Sequence, residues 1–116
     1  MFHKKGGFIL REDFNKKERI VKQGKVTYKG DKYFVSTVDL GINHQFGGGP
    51  PLWYETMIFE MDEDDNIDWS EMYCNRYTTR EEAKDGHKEV MDAFKNDNLN
   101  IYEHEDIDYA EIKIQE

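Results

Sequence analysis

Several things are scarce in this chain. It holds one cysteine, Cys74, so no intrachain disulfide can form, and the composition fits a reducing, cytoplasmic setting. Long apolar runs are missing: no segment approaches the roughly 18 residues a membrane span requires, and the opening "MFHKKGGFIL" lacks the apolar stretch of a secretory leader. Positive charge is scarce beyond residue 34. Residues 1–34 carry ten Lys/Arg against four Asp/Glu, whereas residues 35–116 carry six against twenty-one. Residues 55–71 hold eight acids and no base. A surface of that sign repels nucleic acid, which argues against direct DNA binding. It is either a solvated face that keeps the protein soluble, or a carboxylate array that mimics a phosphate backbone and engages a host protein. Hydrophobic content is only 37%, but two Trp, seven Tyr and seven Phe supply large side chains to bury. At 116 residues the length suits one domain with a single core.

The pattern predicts an α+β domain, an antiparallel sheet of four to five strands with one main helix on one face. Residues 1–23 form a basic lead-in whose second half, 12–24, reads as a short helix or irregular segment. Residues 24–40 read as a β-hairpin closed at Lys29-Gly30-Asp31-Lys32, where Gly accepts positive φ. "LWYETMIFEM" (52–61) is apolar on both alternating faces, the mark of a central strand covered on both sides. One helix covers one face, so a homo-oligomer is expected to bury the other. "DEDDN" (62–66) is a solvated turn and 67–77 the next strand, with Trp69 and Tyr73 on one face. Residues 78–97 change period: Ala83, His87, Val90, Met91 and Phe94 fall at helical spacing, and Thr79 with Glu82 forms a capping box. Gly86 inside that helix costs about 1 kcal/mol against Ala and points to close packing. Residues 99–116 read as an acidic C-terminal arm or edge strand.

Both prolines follow three consecutive glycines in "HQFGGGPP" (44–51). The run "VSTVDLGINHQFGGGPPLWYETMIFE", followed by "CNRYTTREEAKDGH", resembles a family of short proteins encoded by tailed bacteriophages. The shared pattern lies on Ser36-Thr37-Val38, Leu40-Gly41, His44, Phe46-Gly47, Pro50-Pro51, Tyr54-Glu55-Thr56-Met57, Arg76-Tyr77 and Ala83 to His87. Asn43 stands where many members carry Asp. The resemblance implies a phage accessory protein acting in the host cytoplasm, a class that often counters host defence, in some cases by sequestering a nucleotide-derived immune signal.

The glycine run admits two readings. Successive N–H groups of Gly47, Gly48 and Gly49 can face one phosphate, with Trp53 and Tyr54 at the mouth to stack a base; or the run is a plain wide connection. His44, Gln45 and Phe46 flank it on one side. His87 either joins His44 in a site or is a hydrogen-bonded core residue. Arg76 either pairs with the acidic strand or binds an oxyanion through its planar fork. Cys74 reads as a small buried residue rather than a nucleophile. No His-x-x-x-His pair, Walker loop or nucleophile elbow is present, so neither a metal nor another cofactor is expected. The reading is therefore a binder that sequesters a nucleotide-derived signal without catalysis, through His44, Gln45, Phe46, Gly47, Gly48, Gly49, Trp53, Tyr54, Arg76 and His87. The alternatives are an acidic inhibitor of a host protein and a small nucleotide hydrolase using His44.

Overall fold

The computed structural model describes residues 3–5, 8–11, 14–45, 47–105 and 107–113. Its centre is an antiparallel meander of β3 (Ile20–Tyr28), β4 (Asp31–Asp39), β5 (Tyr54–Met61) and β6 (Ile67–Tyr77), paired in that order. Two hairpins flank it in sequence, β1 (His3–Lys5) with β2 (Phe8–Leu10), and β7 (Leu99–His104) with β8 (Ile107–Ile112). One α-helix among the described residues, α1 (Arg80–Lys95), lies across one face of the meander. The architecture is the α+β fold that the periodicities predict.

The expected β3–β4 turn is present, with Lys29 at φ 51° and Gly30 at φ 86°, the left-handed pair of a tight hairpin. The lead-in differs from expectation. Among its described residues Lys16–Glu18 alone is helical, a 3-10 turn capped by Asn15, and β3 already begins at Ile20. Pairing of Gln23 with Ser36 and Ile20 with Val38 recruits these polar residues to the sheet despite their weak apolar pattern. The C-terminal arm is likewise a hairpin rather than one edge strand, reversing at Glu105 (φ 54°). The α1 boundary follows the capping box: Thr79 Oγ1 accepts from the Glu82 amide while the Glu82 carboxylate accepts from the Thr79 amide.

The core lies between sheet and helix. Val35 and Ile58, both fully buried, pair across β4 and β5 and meet Val90, Ala93 and Phe94 of α1. Leu99 and Ala110 of the second hairpin close its end. Tyr28 and Tyr33 pack on Phe94 with ring centroids 5.5 and 5.3 Å away. Strict alternation then directs Ser36, Glu55, Met57, Phe59, Cys74 and Arg76 to the other face, which α1 does not cover.

Candidate functional site

The sheet end that carries the glycine loop is built by side-chain contacts. Arg11 ion-pairs with Asp39, which is 4% exposed, and its guanidinium lies 5.7 Å from the Trp53 ring and 5.3 Å from the Tyr54 ring. The Arg11 amide donates to the Gly41 carbonyl (2.5 Å), and the Gly41 amide donates to Asp39 Oδ1 (2.9 Å). Within the loop, Asn43 Oδ1 accepts from the Gln45 and Leu52 amides at 2.8 and 2.9 Å, and the His44 amide donates to the Leu52 carbonyl. Gln45 Oε1 accepts from the Gly47 amide. Asn43 therefore acts through its side-chain oxygen, which an Asp in its place would also supply. Gly47, Gly48 and Gly49 are exposed, and Gly48 sits at φ 82° with open space where a side chain would point. Phe46 lies outside the described residues.

Arg76 stands on the uncovered face beside this end. Its Nε donates to Glu55 Oε2 at 2.9 Å, and the Cys74 thiol donates to the same oxygen at 3.4 Å. Glu55 is 6% exposed and Arg76 38%. Because the ion pair uses Nε alone, both terminal nitrogens of Arg76 are without a hydrogen-bond partner among the described residues. Cys74 is exposed, contrary to the sequence reading, because no helix covers this face. Its thiol is nevertheless turned in against the sheet, and that burial together with the Glu55 carboxylate pushes its pKa up to about 11. It is therefore a protonated thiol at neutral pH.

His87 is elsewhere. It is 2% exposed under α1, with Nδ1 2.8 Å from Thr37 Oγ1, which is itself 2.5 Å from Thr56 Oγ1. Burial holds its pKa below the ordinary histidine value, so the ring is neutral at pH 7. Residues 55 and 56 point to opposite sides of β5, so the sheet separates His87 from Arg76. A ligand could reach His87 only by displacing α1. The structure thus brings the loop and Trp53 to one sheet end with Arg76 on the adjoining open face, and leaves His87 in the core. Tyr54, expected at the mouth of the site, is 8% exposed on the helix side of β5, where alternation puts it with Thr56 and Ile58.

The sequence reading missed a groove on the uncovered face. It encloses about 400 Å³, with Arg19, Gln23, Ser36 and Glu55 along its polar side and Met57, Phe59 and Trp69 along its apolar side. Its Val38, Leu40 and Glu55 end is the end from which the loop departs. Alternation alone placed Trp69 with Tyr73. A bulge in β6 breaks that alternation, since Ile58 pairs with Tyr73 but Glu60 with Asp68. Trp69 consequently joins Phe59 (5.1 Å between centroids) and Phe34 (6.5 Å) on the open face. Among the described residues no group of three His, Cys, Asp or Glu could hold a metal ion, and no helix is long and apolar enough to cross a membrane. Comparison with protein-family models, curated proteins and solved structures returned no significant match.

Proposed function

We propose that this chain is a phage accessory protein that captures a nucleotide-derived signal in the host cytoplasm and withholds it without turnover. The observation that carries the reading is Arg76. A nearly buried carboxylate fixes the guanidinium through Nε and leaves both terminal nitrogens unpartnered among the described residues, at the sheet end from which the glycine loop departs. A guanidinium so oriented offers two parallel N–H donors to one oxyanion, and little side-chain entropy remains to be lost on binding. The amides of Gly48 and Gly49 are a second donor set for phosphate, the Gly47 amide being taken by Gln45 Oε1. The acidic-inhibitor alternative has less support: Asp65 is paired with Lys25 and Lys32, and Asp62 accepts from the Asp64 and Asn66 amides of its own turn.

Calorimetry and native mass spectrometry test the reading with mono-, di- and cyclic nucleotides. Stoichiometric, salt-sensitive binding is expected, and the ligand is recovered unchanged after heat denaturation. Arg76→Lys, which retains charge but not the fork, is expected to weaken binding about tenfold, or about 1.4 kcal/mol. Recovery of a hydrolysed product, or no binding across the panel at millimolar concentration, would refute the proposal.

A further inference from the structure

We infer that the groove on the uncovered sheet face is a pocket for a flat heterocyclic base of the guanine class, read by Glu55; this rests on the nucleotide reading above. Three features support it. The groove's volume, about 400 Å³, lies within the range of small-molecule sites. Trp69 is 67% exposed, yet Phe59 and Phe34 meet its indole edge-on, at 70° and 89°. An indole fixed from behind and open in front is a stacking platform for a base. The polar side then supplies acceptors from Glu55 and Gln23 and a cationic donor, Arg19. Glu55 Oε2 is occupied by Arg76 and Cys74, whereas Oε1 takes no hydrogen bond from the described residues. Gln23 spends its Nε2 on Ser36 Oγ at 3.0 Å, which leaves its amide oxygen as a second acceptor.

Beside the Glu55 and Gln23 acceptors the groove is lined by Arg19, so it favours an edge that sets adjacent N–H donors next to an acceptor. Guanine presents N1–H and N2–H₂ side by side, whereas adenine presents N6–H₂ beside an unprotonated acceptor that a carboxylate oxygen would repel. A second copy of this chain fits the groove less well. Its dry interface would desolvate Glu55 and the Gln23–Ser36 pair without supplying donors. With the base in the groove, Arg76 adjoins it through Glu55, on the side where the phosphate is expected.

The test is titration with GMP, AMP and inorganic phosphate by calorimetry and tryptophan fluorescence, with Trp69→Phe separating Trp69 from Trp53. GMP is expected to quench Trp69 and to bind at least tenfold tighter than AMP. Glu55→Gln should erase that preference, and Trp69→Leu, which leaves the polar wall in place, should weaken both nucleotides. Equal binding of GMP and AMP, with Trp69 fluorescence unchanged, would overturn the base pocket while the phosphate-binding reading stands. Failure of all three ligands would remove both. A dimer by light scattering in which Trp69 is already shielded from iodide would also overturn the inference, giving the groove to a second copy.

Discussion

The Tyr77 hydroxyl and ring occupy the space that a Cβ on Gly86 would fill. Gly86 is therefore the position at which α1 drops onto β6. Helix propensity alone favours Ala there by about 1 kcal/mol, but the ring leaves no room for a methyl group. Gly86→Ala is expected to be destabilising by about 2 kcal/mol, the usual range for an overpacked core. Urea unfolding measures it, and a variant as stable as the parent would contradict the contact.

Tyr77 makes a second prediction. Its hydroxyl is buried and has no hydrogen-bond partner in the described structure. Removing an unsatisfied buried polar group relieves its desolvation, so Tyr77→Phe should leave the melting temperature unchanged or raise it, a gain of up to about 1 kcal/mol. A clear loss of stability would reveal a partner for that oxygen.

The loop anchor depends on Arg11. Its loss would leave Asp39 almost fully buried and unpaired and would remove the cation from the Trp53 and Tyr54 rings. Arg11→Ala should cost about 3 kcal/mol, and Asp39→Asn in the same chain should recover part of it. Additive losses in the double-mutant cycle would deny the coupling.

Asn43 allows a finer test of the loop. Asn43→Asp keeps the shared oxygen acceptor and should preserve the loop, whereas Asn43→Ala removes two bonds and should speed hydrogen exchange of the Gln45 and Leu52 amides. Equal protection in the two variants would show that the prolines alone hold the loop.

Two groups, half-buried Glu60 and buried His87, give opposite pH dependences. The Glu60 pKa is raised to about 7 by a carboxyl–carboxyl hydrogen bond to Asp108, by burial, and by the charges of Asp108, Asp68 and Glu103. The folded state therefore holds this proton more tightly than the unfolded state, and stability falls as pH rises from about 4.5 to about 7. His87 is depressed by burial and by Lys22, so its contribution is lost as pH falls below about 6.5. Glu60→Gln should remove the loss on the alkaline side and leave a profile that falls only toward acid. Melting curves between pH 4 and 8.5 decide this; an unchanged profile would show that Glu60 and Asp108 do not share a proton.

Local pattern was enough to identify the meander, the Lys29-Gly30 turn, the capped helix and the close approach at Gly86, because each rests on contacts between near neighbours. Periods of 2.0 and 3.6, one capping box and one glycine specify these elements without distant information. The same alternation made 52–61 a central strand with two apolar faces, though it could not say what covers the second. The candidate site depended on tertiary placement. The bulge that turns Trp69 toward Phe59, and the pairing that sets Gln23 beside Ser36, arise from register between strands. His87 and Arg76 lie close in sequence but on opposite faces of the sheet, because α1, which carries His87, packs on the face away from the Arg76 side chain. Such side-chain positions depend on which strands meet and in what register, and a one-residue shift reverses every face.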